Sequence, residues 1–230
     1  MKILIVVDPQ NDFVHPDGAL SIKGALNVIP TINSLLENNY FDYKIITQDW
    51  HPENHVSFAK THGTEPFTMK QTYQGSKFIS QVMWPNHCVQ ATKGADIFTG
   101  WNGDNSSCEA IKGHLAHTIL RKGNNPLREC YSVFEYVHES DDKPDLTEHG
   151  KLFQGDGYGP GVINEVIICG FATDYCVKQT ALGAKRLIGN VTVLEDACAA
   201  VNPEHGKQAL DDLRAVGIQI KKVADYDVKY

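Results

Sequence analysis

Short, continuous apolar runs alternate along the chain with segments whose apolar residues recur at helical spacing. Lys2–Val7 (KILIVV) runs without a break into Asp8 and predicts a buried strand. From Ala25 to Glu37 the apolar positions are Ala25, Val28, Ile29, Ile32, Leu35 and Leu36, the period of a helix with one buried face. Tyr43–Thr47 predicts a second strand that ends near Asp49, Ala116–Arg121 a third that ends at Lys122, and Glu165–Cys169 a fourth. A helix is expected over Tyr175–Leu187 and a fifth strand over Val191–Leu194. Pro203 then opens a helix to Val216 at the favoured first position, and Ile218–Val223 is a last strand. Val/Ile runs separated by helices predict a three-layer α/β/α architecture around a mostly parallel sheet of about six strands. The connections 50–115 and 123–162 carry little periodicity, and connections that long are usually functional or lid-like.

This pattern puts Asp8, Asp49, Lys122 and the loop 170–176 at the C-terminal ends of predicted strands, where open α/β sheets bind ligands. Length and composition fit one domain over residues 1–230, since 42% of the 230 residues are hydrophobic. A net charge of -7, with no run of Lys or Arg, argues against nucleic acid and anionic membranes as partners. No stretch approaches the ~18 apolar residues of a membrane span, and the apolar start runs straight into Asp8, as a strand does. The six cysteines include no C-x-x-C pair and read as reduced thiols. The expected compartment is the cytoplasm, with the nucleus open as well.

Three constellations carry candidate chemistry. Gly170-Phe-Ala-Thr-Asp-Tyr-Cys176 joins a strand to a helix and puts Cys176 in the first helical turn. Free N–H groups and the helix dipole there favour a thiolate and can hold a developing oxyanion. The plainer alternative is an inert cysteine packed at a helix start, capped by Thr173 or Asp174. Asp8 at one strand end can serve as a general base, or simply as a turn or cap residue. Lys122 at another can stabilise a thiolate and an anionic intermediate, or simply be solvated. In Asp49-Trp-His51, positions i and i+2 of an extended chain face one side, with His55 and His87 following. One carboxylate and two imidazoles suit Zn²⁺, Fe²⁺ or Mn²⁺ with open positions for water. Each histidine taken alone is more often a surface or capping residue.

These stretches, taken with Val7-Asp-Pro-Gln-Asn-Asp-Phe13, Asp49 to Phe58, Trp84-Pro-Asn-His-Cys-Val-Gln-Ala-Thr-Lys-Gly-Ala95, Arg121-Lys-Gly123 and Tyr131-Ser-Val-Phe134, resemble the nicotinamidase branch of the isochorismatase-like cysteine hydrolases. The likeness spans residues 1 to about 200 in the family's order and is nearest to eukaryotic members through Asp49 to Lys60. It implies the isochorismatase-like fold and hydrolysis of nicotinamide to nicotinate and ammonia, through a cysteine thioester, in NAD salvage. It further implies Asp8 as base, Lys122 as positioned cation and Cys176 as nucleophile. Asp49, His51 and His87 match metal ligands, and His55 a position that ligates in some members. The metal is expected to be zinc, with iron or manganese as alternatives. A non-proline cis bond at Phe171–Ala172 would shape an oxyanion hole from the Ala172 and Cys176 amides. Phe13, Trp84, Tyr131 and Tyr175 match the walls of a pyridine pocket, and aromatic walls suit a flat ring. A homo-oligomer is expected. The chain departs from the usual family pattern in the long segment 96–115 and the Gly-rich 154–161. The rival readings are another amidase or ureido hydrolase of the superfamily, or a silent member used for binding. The metal trio speaks against the first, and the complete Asp8, Lys122, Cys176 set against the second.

Overall fold

The structure is a computed structural model that describes residues 1–98, 110–134 and 162–225. The segment 154–161 and part of 96–115 lie outside the described residues. The main sheet has six parallel strands in the order β5-β2-β1-β6-β7-β8. They are β1 (Lys2–Val7), β2 (Tyr43–Asp49), β5 (Thr118–Lys122), β6 (Glu165–Phe171), β7 (Val191–Ala199) and β8 (Gln219–Lys221). A separate antiparallel hairpin, β3 (Met69–Gln74) and β4 (Lys77–Val82), stands in the connection 50–115, where no strand is expected from the sequence.

Side-chain alternation along β1 feeds two cores. Leu4 and Val6 pack with Ile29, Ile32, Leu35 and Leu36 of the helix Ala25–Glu37 on one face. Ile3, Ile5 and Val7 pack on the other with Val177, from the turn Thr173–Val177, and with Ala181, Ala184 and Leu213, from the helices Lys178–Leu187 and Pro203–Ala215. Each face is covered because both sides of every central strand are apolar, the three-layer arrangement expected. The helix expected from Tyr175 begins instead as a π-helical turn, Thr173–Val177, that runs into Lys178–Leu187. No helix among the described residues is long and apolar enough to cross a membrane.

Chain order reverses direction between β1 and β6. Strand β2 lies on one side of that pair and β7 on the other. The crevice at the C-terminal ends of β1 and β6 is therefore the topological switch point, the place where such sheets take ligands. Gly170 makes the approach of the two strands feasible. It has φ 112°, and a Cβ there would sit 2.2 Å from the Val7 carbonyl oxygen.

Candidate active site

Four strand ends deliver four polar residues to this crevice. Asp8 follows β1, Asp49 ends β2, Lys122 ends β5, and Cys176 lies in the turn after β6. Pairing of β2 with β5 puts Asp49 opposite Lys122 in register, so these two are neighbours by strand geometry alone. Lys122 is fully buried, which rules out the solvated reading of this lysine. Its ammonium lies 2.8 Å from Asp8 Oδ2 and 2.5 Å from Asp49 Oδ1, and it donates to Cys176 Sγ at 3.3 Å. Burial lowers the Lys122 pKa, but the two carboxylates and the sulfur outweigh it and keep the ammonium charged.

Asp8 is fully buried with φ 47°. Its Oδ1 accepts from Thr47 Oγ1 at 2.6 Å, and its backbone N–H donates to the same hydroxyl oxygen. Oδ2 has the Lys122 charge beside it but no aligned hydrogen bond, an open acceptor in a buried place. Burial lifts this carboxyl to about 6, against the lowering pull of Lys122. A carboxylate oxygen of Asp8, one of Asp49 and Cys176 Sγ all lie within 4.8 Å of one another. For Cys176, burial pushes the thiol well above its ordinary pKa, and Lys122 only partly offsets this. That corrects the expectation that the helix start favours a standing thiolate. Burial thus favours the neutral thiol, with the Asp8 carboxylate and the Lys122 ammonium close to it.

Asp49 divides its carboxylate between two tasks. Oδ1 takes the Lys122 ammonium, and Oδ2 faces His51 Nε2 at 3.5 Å and His87 Nε2 at 4.0 Å. Burial raises the Asp49 carboxyl, but Lys122 and His51 outweigh it and hold it far below the usual carboxylate range. Both imidazoles present Nδ1 to a backbone carbonyl at 2.8 Å, His51 to Gly123 and His87 to Pro85. With Nδ1–H donating there, Nε2 is the ring atom that faces Asp49; burial lowers the His51 pKa but the Asp49 charge outweighs it and raises it, so His51 Nε2 favours a proton that a metal ion would displace. The three candidate ligand atoms lie within 4.8 Å of one another and all three residues are buried. This donor set fits a divalent transition metal. His55 falls in a different group, with His51 and Glu129. Its Nδ1 pairs with Ser57 Oγ at 2.8 Å and its Nε2 with the Arg128 carbonyl at 3.1 Å.

Phe13, Trp84, Tyr131 and Tyr175 line one cavity together with Asp49, His87, Ala172 and Cys176. The Trp84 and Tyr175 rings meet edge to face at 4.8 Å. The Phe171–Ala172 peptide is cis, and the Tyr175 and Val177 N–H groups turn back to the Ala172 carbonyl. Asp174 does not cap the helix, since its carboxylate accepts from the Val201 and Asn202 N–H groups.

Three contributors are absent from the sequence reading. Thr47 holds Asp8, as described. Gln10 clamps Asp49 by donating to its carbonyl and accepting from its N–H, both at 2.8 Å. Glu129, also on the cavity wall, is held below the usual carboxylate range by His51 and His55 against the opposing effect of burial. Gln10 sits directly after the strand-end Asp8-Pro9 and was open to the same argument as Asp8. Nothing in the pattern around Glu129 marks it.

Fold and strand-end cluster together define an isochorismatase-like hydrolase, and the Isochorismatase domain family matches residues 161–225. A nicotinamidase of Acinetobacter baylyi is 38% identical over 218 residues, covering 94% of this chain and 90% of that protein. A solved Acinetobacter baumanii nicotinamidase/pyrazinamidase superposes with a TM-score of 0.76 at 32% identity, over 98% of this chain and 97% of its own. A Pyrococcus horikoshii pyrazinamidase solved in complex with zinc gives a TM-score of 0.65 at 33% identity, over 96% and 98%. The chain belongs to the nicotinamidase family of isochorismatase-like hydrolases.

Proposed function

We propose that this protein hydrolyses nicotinamide to nicotinate and ammonia, within NAD salvage, by cysteine acyl transfer. The observation that carries the reading is that one aromatic cavity is lined by Cys176 and by the Asp49–His87 ligand pair. A flat carboxamide-bearing ring fits between a nucleophile and an anchor for its ring nitrogen. The nicotinamidase relatives support this choice of substrate.

Asp8 Oδ2 takes the Cys176 proton, and the sulfur attacks the carboxamide carbon. The oxyanion is received by the Ala172 and Cys176 N–H groups. Asp8 returns the proton to the departing ammonia. Water, deprotonated by Asp8, then attacks the thioester carbon; the C–S bond breaks, the leaving Cys176 sulfur takes the proton back from Asp8, and nicotinate is released. Lys122 stays charged throughout, holding Asp8 in place and offsetting negative charge on the sulfur. Asp49, His51 and His87 would hold the metal, with zinc, as in the Pyrococcus relative, ahead of iron or manganese. When bound, the ion supplies a Lewis-acid anchor that orients the ring. Phe13, Trp84, Tyr131 and Tyr175 enclose the ring and exclude water.

The test is ammonia release from nicotinamide by the purified protein, with benzamide as the control that lacks a ring nitrogen, in wild type and His51→Ala. Nicotinamide turnover is expected in wild type and is lost in the variant by ~10²-fold through misalignment, with benzamide poor in both. Equal losses for both substrates would show that the ring nitrogen is not read and would favour a broader amidase.

A further inference from the structure

The hairpin β3–β4 has an unusual polarity. Met69, Tyr73 and Phe78 are exposed, while Thr72, Gln74 and Gln81 are buried on its inward face. Buried glutamines are retained where their hydrogen bonds are used, and these form a chain whose direction is set at its first link. The Glu129 backbone N–H can only donate, and it does so to Gln74 Oε1 at 2.8 Å. That fixes the Gln74 amide, whose Nε2 donates to Thr72 Oγ1 at 2.9 Å and Gln81 Oε1 at 3.3 Å. Gln81 is thereby fixed as well, and its Nε2 donates to the Val82 carbonyl at 2.9 Å and to the Tyr131 hydroxyl at 2.8 Å. Trp84 Nε1, an obligatory donor, reaches the same hydroxyl at 3.1 Å.

Two N–H donors thus occupy both lone pairs of the Tyr131 oxygen. Its own proton cannot go to either of them, and no acceptor among the described residues takes it. Burial, with Glu129 nearby, keeps that proton on the oxygen. Tyr131 lines the cavity.

We propose that Gln81 is a positioning residue for substrate: through this one-way relay it fixes the Tyr131 hydroxyl as a hydrogen-bond donor into the cavity, toward an acceptor on the bound carboxamide or its water. The proposal rests on the hydrolytic reading above for its kinetic test only. Gln81→Met keeps volume but removes the donor. Gln81→Met and Tyr131→Phe are each expected to lower kcat/KM for nicotinamide about tenfold, the worth of one hydrogen bond. The double variant should lose no more than about twofold beyond the worse single, because both changes delete one device. Iodoacetamide labelling of Cys176 should not change, since it needs no substrate alignment. Losses that multiply in the double variant, or a Gln81→Met enzyme within about twofold of wild type, would overturn the proposal. If Gln81→Met does not fold, Gln74→Met, which frees the Gln81 amide to turn over, is read in the same way. The Trp84 indole N–H resonance, assigned with Trp84→Phe, reports the hydroxyl whatever the substrate. It should shift in Gln81→Met, and an unmoved resonance sinks the relay even if wild type proves inactive on nicotinamide.

Discussion

In the proposed mechanism Asp8 carries the pH dependence of turnover. Its carboxyl is raised from 3.8 to about 6 because burial penalises the charged form more than Lys122 restores it. A base must be unprotonated to take the Cys176 proton, so kcat/KM for nicotinamide should fall as pH drops through about 6. An acidic limb near 4 in the pH profile would remove Asp8 from that role. The linkage has the opposite sign for stability. Between the unfolded value and about 6 the folded chain holds a proton that the unfolded chain has lost, so the stability Asp8 contributes at low pH is given up as pH rises through that window. Activity and stability therefore trade across one titration, as is common for catalytic groups. For Cys176, substitution by alanine should abolish turnover by ~10³-fold or more with the fold intact. Iodoacetamide should label Cys176 ahead of the other cysteines, since the proposed mechanism gives it a carboxylate within 4.8 Å to take its proton and an ammonium to offset the charge on its sulfur. Retained turnover in the alanine variant would end the covalent mechanism.

At the scale of elements, what the sequence makes legible is what strands and their ends impose. Asp8, Asp49 and Lys122 stand out because each falls at or just past the end of a predicted strand, and parallel pairing then brings the ends of adjacent strands together. The hairpin β3–β4 is hidden for the converse reason. Met69, Tyr73 and Phe78 face outward while Gln74 and Gln81 are buried, so a reading of apolar positions as the buried face inverts it. His55 and Glu129 depend on loop packing that no period encodes. The turn after β5 shows how one backbone position serves the site. Gly123 has φ 67°, and a Cβ there would lie 2.4 Å from His51 Cε1 and 2.6 Å from Nδ1. Only glycine lets the His51 ring reach the carbonyl of that same residue. Gly123→Ala should weaken metal retention by ~10–100-fold, the usual scale for loss of an outer-shell partner. Competition with a chelator of known affinity measures it, and unchanged affinity would mean that the carbonyl does not orient His51.

Across the whole molecule, the proposed ligand set ties together parts of the chain that the sheet does not join. Asp49 closes a central strand, His51 follows it, and His87 comes from the loop after β4, held to the body by isolated bridges at His51–Val89 and Phe58–Trp84. An ion bound by all three should therefore stabilise the folded chain, because the separated segments of an unfolded chain offer no such site. At a free metal concentration about a hundredfold over Kd, linkage gives about 2.7 kcal/mol. For a domain of this size that corresponds to a rise of ~5–10 °C in Tm. Dialysis against a chelator should lower Tm by that amount, and zinc should restore it. His87→Ala should melt at one temperature with or without zinc, since Asp49 and His51 alone leave the ion too few ligands. Lys122 keeps Asp49 compensated in the metal-free protein, which predicts that the stripped chain stays folded at room temperature instead of collapsing around a buried charge. A wild-type Tm indifferent to both chelator and zinc would remove the metal site. A zinc response that survives in His87→Ala would move it to other residues, with the His51, His55 and Glu129 group the next to test.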